Sequence, residues 1–586
     1  MYNPNEQTNY TRMLIAMLFA GLILMTWQAL VELPRRKHLA ELAAKQKQQQ
    51  EVLKAQHGQQ LAASTGTVAD EKLTRSQRLQ LAPRVHFSTE KLDGSISLKG
   101  ARFDDLTLSQ YRMTLDADSP PVTLFSPNGD PYSYFVQAGW VAADSVTEVP
   151  DNDTLWQADK NHIGVGEPVT LRWTNNSGIT YFLTITLDEH YMFSVRQRVE
   201  NRSRVPVAVT PYAYINRVYD QQWAHQSYAI LHEGPLGVMD GTLEEISYSD
   251  MQEENRTFKD ASGWFGITDK YWLSALVPGD SSFTTQFNHY KKGEHDRYQV
   301  DYMGAPQTIK PDMQAESNFR LFAGAKEIRQ LDAYAEGKTG QPTIPLFDRA
   351  VDFGVLYFLT KPMFLMLNWF YSHVGNFGVA ILLMTIIVKL VMFPMANKSY
   401  KSASQMRRLQ PQMQNIRDRY GDDQIRLQQE MMDLYKREKV NPAAGCLPIL
   451  IQMPVFFALY KVLFVTIEMR HAPFILWIKD LSALDPTNLF TLFGLLEWNH
   501  PAWMHLGVLP ILMCVTMVIQ MKQQPKPTDP VQAKVIAYMP YFFLIIFATF
   551  PAGLVLYWVW NNILSIIQQQ VITNKYGKPT APGKKQ

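Results

Sequence analysis

Hydrophobic and polar positions divide the chain into two kinds of sequence. Between residues 82 and 340, apolar and polar side chains alternate in short runs, which is the period expected of half-buried β-strands. Two such runs, 169–173 and 179–187, flank the turn sequence NNSG at 175–178 and predict a strand, a turn and a strand. Continued alternation of this kind predicts a large antiparallel β-sandwich domain over 82–340.

The last third of the chain carries long apolar runs instead, which predict membrane-spanning helices. Five such runs are found, at about 376–396, 446–467, 504–521, 534–550 and 552–571. A further apolar run fills most of the N-terminal segment 1–33, which we interpret as an uncleaved membrane anchor; the alternative is a cleaved signal peptide. The pattern therefore predicts an α-helical polytopic membrane protein with six spans.

Two connecting segments have a different character. Residues 34–81 are rich in Gln, Ala, Lys, Ser and Thr, with too few apolar positions for a core, and predict a flexible tether. Residues 341–375 are apolar but are interrupted by Lys361, Pro362 and Asn368. This segment predicts an amphipathic helix lying on the bilayer surface, and a soluble hinge helix is the alternative.

The loop 397–440 predicts a helical hairpin with a basic outer face. Gly421 is placed to end the first helix, and Asp422 is placed to cap the second. Apolar residues recur at helical spacing on both sides of that turn, at Met406, Leu409, Met413, Ile416, Leu427, Met431 and Leu434. The basic face predicts contact with ribosomal RNA, a nascent chain or lipid headgroups, or else is merely solvated.

The formal net charge of the chain is only +2, but the distribution of positive charge is informative. Lys and Arg are concentrated in 397–440, in 522–534 and in the tail 574–586, whereas the loop 470–503 has two. The positive-inside rule therefore places the segments 397–440, 522–534 and 574–586 in the cytoplasm. Six spans then put both termini in the cytoplasm and the β domain in the periplasm. The basic residues at 35–37 oppose this orientation, but long domains cross largely regardless of such charges.

The most informative single residue is Lys389, which lies inside an apolar run. A charge in a spanning helix costs about 2.5–3.5 kcal/mol on insertion scales, so some interaction must offset it. Thr385 lies one helical turn earlier on the same face. The alternative is that the lysine side chain extends to the membrane surface.

Polar residues in two other predicted spans suggest that Lys389 faces a shared wet interior. Gln452 lies in one span, and the last span carries Trp558, Asn561, Ser565 and Gln568 along one helical face. The alternative is simple hydrogen bonding between helices.

The membrane region has no phosphate-binding loop, zinc-ligand pattern or dinucleotide-binding loop, and its runs contain no series of carboxylates. The two cysteines, Cys446 and Cys514, offer no disulfide framework. We therefore predict no catalytic residue, no metal and no cofactor. A cavity with one cation, a few amides and no acid is suited to holding a polar or acidic peptide segment transiently.

Four sequence blocks carry a resemblance to a known family. The longest is NPAAGCLPILIQMPVFFALY at 441–460; the others are VMFPM at 391–395, APFILWIKDLSALDP at 472–486 and FPAGLVLYWVWN at 550–561. With these blocks the chain resembles the YidC and oxidase-assembly family of membrane insertases. The anchor and the large β domain are similar to its Gram-negative branch.

This resemblance implies a five-helix insertase core at 376–573, with a hydrophilic groove open to the cytoplasm and to lipid. It implies that Lys389 stands where the family usually has Arg, that Gln452 and Trp558 are other groove positions, and that Phe456 lies on an apolar slide for substrate helices. The charge is kept by lysine, but the planar two-pronged donor of arginine is lost.

The resemblance further implies an inner-membrane protein that inserts membrane proteins and helps them fold, alone or with the Sec translocon. The implied partners are nascent membrane proteins, the Sec translocon with its accessory subunits, the lipid bilayer and, weakly, the ribosome, but not DNA. No bond is made or broken, so the resemblance implies no enzyme. A secondary transporter is one alternative and predicts internal repeats with paired ionisable groups. A membrane-anchored glycan-modifying protein is the other and predicts a convergent carboxylate or histidine site in the β domain.

Overall fold

The structure is a computed structural model that describes residues 73–219, 231–279, 282–293, 295–421, 423–438, 440, 447–494, 505–524 and 530–576. The predicted anchor 1–33, most of the tether 34–81 and most of the tail 574–586 lie outside the described residues. All elements below belong to one compact unit, made of residues 73–150 and the chain from 155 onward.

The first part of this unit consists almost entirely of β-strands. In chain order they are β1 (Arg84–Ser88), β2 (Leu92–Ser97), β3 (Arg102–Arg112), β4 (Pro121–Phe125), β5 (Tyr134–Ala142), β6 (Gln157–Ala158), β7 (His162–Ile163), β8 (Val169–Thr174), β9 (Ile179–Leu187), β10 (Met192–Asn201), β11 (Val207–Val218), β12 (Gly234–Met239), β13 (Thr242–Glu245), β14 (Arg256–Ala261), β15 (Gly263–Thr268), β16 (Trp272–Pro278), β17 (Phe283–Lys292), β18 (His295–Met303), β19 (Gln307–Ile309) and β20 (Met313–Ala325).

Within the described residues these strands form two sheets. The first has eleven strands, in the order β14-β17-β18-β11-β5-β3-β2-β1-β7, with β19 beside β11 and β4 beside β3. The second has nine, in the order β13-β12-β15-β16-β20-β10-β9-β8-β6. Nearly all neighbouring strands are antiparallel; β1 and β7 are parallel.

Aromatic side chains join the two sheets into a sandwich. Phe193 of the second sheet meets Phe87 and Phe103 of the first, with ring centroids 5.3 and 5.4 Å apart. Trp140 of the first sheet meets Tyr181 of the second at 5.1 Å. Because alternate residues of each strand point into this core, the alternating sequence pattern is explained, and the predicted β-sandwich is confirmed.

The predicted hairpin at 169–187 is also confirmed. Val169 pairs with Ile185 and Thr174 with Thr180, so β8 and β9 are antiparallel neighbours. The turn between them is fixed by Asn175, whose side-chain oxygen accepts hydrogen bonds from the backbone N–H groups of Ser177 and Ile179.

The described helices are short in the β region and long in the last third. They are α1 (Arg75–Leu79), α2 (Tyr248–Glu253), α3 (Ile328–Ala335), α4 (Tyr357–Val374), α5 (Phe377–Tyr420), α6 (Gln424–Arg437), α7 (Leu447–Val465), α8 (Val508–Lys522), α9 (Pro530–Phe547) and α10 (Ala552–Tyr576). Three 3-10 turns lie at Phe347–Ala350, Ile467–Met469 and Leu489–Gly494.

Helix α4 covers only part of the segment 341–375 that the sequence predicts to be helical. The preceding residues include two prolines, Pro342 and Pro345, which disfavour a continuous helix there. Phe358 and Trp369 are 74% and 57% exposed, while the opposite face of α4 packs against α5 and α7. The helix is therefore apolar on both faces, with one face left uncovered by the described residues.

Lys361, which interrupts the apolar run of α4, is ion-paired in the structure. Its ammonium group lies 2.7 Å from Asp332 of α3 and 2.8 Å from Asp348. Burial opposes the charge, but the hydrogen bonds to these two carboxylates outweigh it and raise the pKa of Lys361. These contacts tie α4 to the end of the β domain.

Helix α5 is one continuous helix of 44 residues, whereas the sequence predicts a span at 376–396 followed by a separate hairpin helix. The difference arises because Pro394 and Pro411 lie within the helix without ending it. The helix ends at Gly421, as predicted.

The hairpin partner α6 is capped one residue later than predicted. Asp423, not Asp422, is its N-cap, and its side chain accepts a hydrogen bond from the backbone N–H of Arg426 at 3.1 Å. Asp422 itself lies outside the described residues. Buried Leu409 and Met413 pack with Leu434, so the apolar spacing of the two helices serves the hairpin as predicted.

Helices α7 to α10 lie in the four remaining apolar runs. Within the described residues, α5 is the one helix both long and apolar enough to cross a bilayer; shorter apolar helical stretches lie at Gln452–Val465, Val508–Lys522 and Ala533–Phe547. The count of six spans therefore remains a prediction.

Candidate functional site

The predicted cation of the helical core contacts the last helix. The ammonium group of Lys389 on α5 donates a hydrogen bond of 2.8 Å to the hydroxyl of Ser565 on α10. That hydroxyl in turn donates to the backbone carbonyl of Asn561 at 2.7 Å. No carboxylate in the described part of the chain lies within ion-pairing distance of Lys389, so a neutral hydroxyl is the partner of this cation.

Thr385 is buried one turn away, but its hydroxyl is used by its own helix. It donates to the backbone carbonyl of Ile381 at 2.6 Å, the usual local bond of a threonine inside a helix. The structure therefore gives Thr385 no hydrogen bond to Lys389.

The polar face of α10 is buried between helices rather than turned outward. Asn561 and Ser565 are buried, and the side-chain oxygen of Asn561 and the amide nitrogen of Gln568 have no hydrogen-bond partner among the described residues. Buried polar atoms without a partner are costly, so such atoms mark a place where water or a bound chain can supply hydrogen bonds. Trp560, on a neighbouring face, donates to the carbonyl of Leu382 at 3.2 Å and fixes α10 against α5.

The remaining predicted residues form a second group, where α7 meets α10. The side-chain amide of Gln452 donates to the hydroxyl of Tyr557. Trp558 lies edge-on to Phe456, with ring centroids 4.8 Å apart, and contacts Phe547 at 5.1 Å. The structure thus brings Gln452, Phe456 and Trp558 together.

No hydrogen bond or ring contact between described residues joins the two groups directly. They are connected through α10, on which Trp558 and Ser565 lie seven residues apart, a rise of about 10 Å. The candidate site is therefore an elongated polar and aromatic strip along α10, with Lys389 towards one end and Gln452 towards the other.

Sequence reasoning missed several polar residues beside this strip. Asn562 donates to the hydroxyl of Thr516 on α8 at 3.2 Å, and Gln569 donates to the backbone carbonyl of Gln523 at 2.7 Å. Both are buried, and both bind α10 to α8. The sequence did carry a signal for them. Asn561 and Gln568 are each followed directly by a second amide, Asn562 and Gln569, and this second amide makes the contact with α8.

One end of α7 is bound to the segment that precedes α4. The ammonium group of Lys461 lies 2.7 Å from Asp352, and both side chains are largely buried. Asp352 also accepts a hydrogen bond from the backbone N–H of His232 at 3.2 Å. This pair therefore connects the helical core to the β domain.

Glu468, in the 3-10 turn after α7, is a carboxylic acid in an unfavourable position for charge. Burial raises its pKa to about 7, and the nearby carboxylate of Glu327 acts in the same direction. Its Oε2 atom has no hydrogen-bond partner among the described residues. Within those residues, no three His, Cys, Asp or Glu side chains lie close enough together to hold a metal ion.

A β-sandwich joined to apolar helices, with a cation that has no carboxylate partner among the described residues, is typical of a helical membrane protein with an attached β domain. The family model described as the YidC periplasmic domain matches residues 84–366, and that of the 60Kd inner membrane protein matches residues 369–579. The chain belongs to the YidC family of membrane protein insertases. The resemblance carried by its sequence blocks is thereby confirmed.

Relatives support the same assignment over nearly the full length. The membrane protein insertase YidC of Rickettsia bellii is 46% identical over 573 residues, covering 97% of this chain and 100% of that protein. That of Rickettsia conorii is 47% identical over 577 residues, covering 97% and 99%. A crystal structure of an active YidC insertase with its first transmembrane domain resolved is 19% identical, with a TM-score of 0.36, and covers 83% of this chain and 92% of that chain. The family assignment rests on the sequence matches.

Proposed function

We propose that this chain inserts nascent membrane proteins into the inner membrane, and helps them fold, by holding a polar substrate segment beside Lys389. The observation that carries this proposal is the Lys389–Ser565 hydrogen bond between α5 and α10, which leaves the cation without an acid partner among the described residues. Hydrogen bonds between two charged groups are stronger than those to a neutral hydroxyl. A substrate carboxylate would therefore displace the serine hydroxyl and be held transiently.

The polar strip on α10 supports the same mechanism. Asn561 and Gln568 each have a buried polar atom without a hydrogen-bond partner among the described residues. These atoms can therefore form hydrogen bonds with water or with a peptide. A hydrated strip of this kind reduces the free energy needed to bring a polar segment into the membrane region.

The aromatic group gives the substrate an apolar route out. Phe456 and Trp558 lie at the junction of α7 and α10, next to the polar strip. The substrate's own apolar helix then moves into lipid, a transfer worth about 25 cal/mol for each Å² removed from water. No bond is made or broken in this sequence of events, so we propose an insertase without enzymatic activity and without a nucleotide requirement.

We propose the membrane arrangement that the charge pattern predicts: six spans, both termini in the cytoplasm and the β domain, 82–340, in the periplasm. The exposed apolar side chains of α4 support a position on the bilayer surface, with Trp369 suited to the membrane–water interface. The basic α5–α6 hairpin is the proposed cytoplasmic contact for the ribosome or a nascent chain. The Sec translocon and its accessory subunits are proposed partners for a share of the substrates.

Reconstitution tests the proposed role of Lys389. Purified chain in liposomes should insert a small single-spanning substrate without nucleotide. The Lys389→Ala variant should insert it more slowly, most of all when the translocated segment is acidic, whereas Lys389→Arg should retain activity because the charge is kept. Lys398→Ala, which removes a charge elsewhere on α5, is the matched control. Equal insertion of every substrate by the parent and by Lys389→Ala would show that this role is wrong.

A further inference from the structure

A cavity of about 600 Å³ lies in the β domain, far along the chain from the helical core site. Strands β9, β10, β16 and β20 of the second sheet line it, and the segment 342–345 closes one side. Two arginines, Arg196 and Arg320, are among its lining residues, and no Asp or Glu is. The cavity therefore has a positive lining without an acid of its own.

Strand pairing places these arginines in two polar rows. Ser194 pairs with Arg320 on one side and with Thr186 on the other. Directly paired side chains lie about 4.5–5.5 Å apart at Cβ, so the three side chains form one row across β9, β10 and β20. The next row on the same face contains Thr184, Arg196 and Asn318.

Neither arginine is neutralised by the protein. Arg196 is exposed and has no hydrogen-bond or ion-pair partner in the described part of the chain. Arg320 donates one hydrogen bond, to the backbone carbonyl of Pro342 at 2.7 Å, and burial lowers its pKa. The contrast is Arg198, two residues further along β10, which pairs with Glu200 at 2.6 Å and stacks on Phe182 at 4.1 Å.

We propose that this cavity binds a phosphate group, carried either by a lipid headgroup or by free phosphate. The two rows present two guanidinium groups, three hydroxyls and one side-chain amide. A phosphate presents its oxygens in a tetrahedral arrangement, with two terminal oxygens in a phosphodiester and at least three in a monoester or free phosphate, whereas a carboxylate presents two oxygens in one plane. A volume of about 600 Å³ lies within the range of sites for small ligands, and it is large enough for a headgroup.

The position of the cavity favours the lipid source. The segment 342–345 that closes it leads through Phe347–Ala350 into α4. Trp264 of β15 fixes this segment by donating to the carbonyl of Pro345 at 3.1 Å. The lipid source rests on the proposed position of α4 at the bilayer surface, while the phosphate chemistry itself does not.

Calorimetric titration of the purified full chain in uncharged detergent tests the proposal. The probes are short-chain dihexanoyl phosphatidylglycerol and, separately, inorganic phosphate. The double variant Arg196→Gln/Arg320→Gln should bind at least about tenfold more weakly than the parent, since two charge-assisted contacts are lost. Arg196→Gln alone should weaken binding severalfold. Because Arg196 is exposed and has no partner among the described residues, this variant keeps the test decisive if the double variant does not fold.

Arg198→Gln is the matched control, because it removes the same charge from the same strand outside the cavity, and its affinity should equal that of the parent. Tighter binding of the phospholipid than of inorganic phosphate identifies the headgroup as the source, and tighter binding of inorganic phosphate identifies the free ion. Lys389→Gln should leave both affinities unchanged, so this test is independent of the insertion site. Unchanged affinity in Arg196→Gln, or binding of an acidic eight-residue peptide but of neither phosphate probe, would overturn the proposal.

Discussion

The indole ring of Trp558 meets the ring of Phe456 edge-on, with the centroids 4.8 Å apart and the ring planes at 87°. By its spacing in the sequence, Trp558 belongs to a polar face of α10. In the structure its ring instead lies in an aromatic cluster with Phe456 and Phe547. Trp558 is therefore the residue at which the polar strip ends and the apolar route begins.

This cluster should be energetically coupled. Edge-to-face aromatic pairs contribute about 0.5–1.5 kcal/mol beyond their buried area, so Phe456→Ala and Trp558→Ala together should destabilise the chain by less than the sum of the two single changes. Thermal unfolding of the four proteins in detergent measures this coupling. Phe542→Ala is the control, since that side chain is 62% exposed on α9. Strict additivity of Phe456→Ala and Trp558→Ala would contradict the prediction.

Ser565 and Thr385 should respond differently to the loss of their hydroxyls. Ser565→Ala removes the hydrogen-bond partner of Lys389, and insertion of an acidic substrate should change by about three- to tenfold. Thr385→Val removes a bond within α5 only, so the insertion rate should stay within about twofold of the parent. Insertion rates in liposomes provide the comparison. A larger effect for Thr385→Val than for Ser565→Ala would reverse the roles that we assign.

The Lys461–Asp352 pair should contribute to the stability of the whole chain. Both side chains are largely buried, so Lys461→Met and Asp352→Asn should each lower the free energy of unfolding by about 1–3 kcal/mol. The double variant should lose about as much as one single variant, because the second change removes a group already left without its partner. Chemical denaturation followed by tryptophan fluorescence reports these values.

A natural control for this pair lies on the surface. Lys160 and Glu167 are 3.9 Å apart and strongly exposed, so Lys160→Met should change stability by less than about 0.5 kcal/mol. Equal losses from Lys160→Met and Lys461→Met would mean that the buried pair has no special role.

Glu468 should make stability depend on pH near neutrality. Its pKa is raised by burial from 4.5 to about 7, so the folded chain binds this proton more tightly than the unfolded chain. Its stabilising contribution is full below about pH 4.5 and is lost as the pH rises through 7. Glu468→Gln, which mimics the protonated acid, should match the parent in melting temperature at pH 5 and exceed it at pH 8.

Differential scanning fluorimetry at the two pH values measures this difference. Glu253→Gln, an exposed acid on α2, controls for the loss of one negative charge. A Glu468→Gln variant that melts below the parent at pH 8 would show that the charged form is the stabilising one.

The parts of the fold that follow from local periodicity could be predicted from the sequence. The β8–β9 hairpin is specified by alternation and by Asn175, and the α5–α6 hairpin is specified by residues such as Leu409, Met413 and Leu434. The end of α5 at Gly421 follows from the residue type, although the backbone of Gly421 stays right-handed, with φ −56°, rather than left-handed. Continuity of α5 through Pro394 does not, because neighbouring helices decide whether a proline ends a helix or is accommodated within it.

The candidate site was predictable to the level of helices but not of hydrogen bonds. A charge in an apolar run identified Lys389, and helical spacing identified Ser565, which the structure joins to it. Spacing could not show that Thr385 bonds to its own backbone, nor that Gln452 bonds to Tyr557, since both depend on side-chain geometry. Asn562 was missed because its partner, Thr516, comes from a helix that the pattern treats as uniformly apolar.

Helix α5 is unbroken from Lys389 to the α5–α6 hairpin, so it can act as a lever between the two. From Lys389 to Tyr420, where the α5–α6 hairpin turns, the helix runs for about 45 Å. A small tilt of the helix therefore moves the residues near Tyr420 by several ångström relative to Lys389. Pro394, five residues beyond Lys389, removes a backbone hydrogen bond, as does Pro411 further along, and these are two points at which that lever bends more easily. Bending of α5 at Pro394, caused by a large partner bound to the α5–α6 hairpin, would change the width of the space around Lys389.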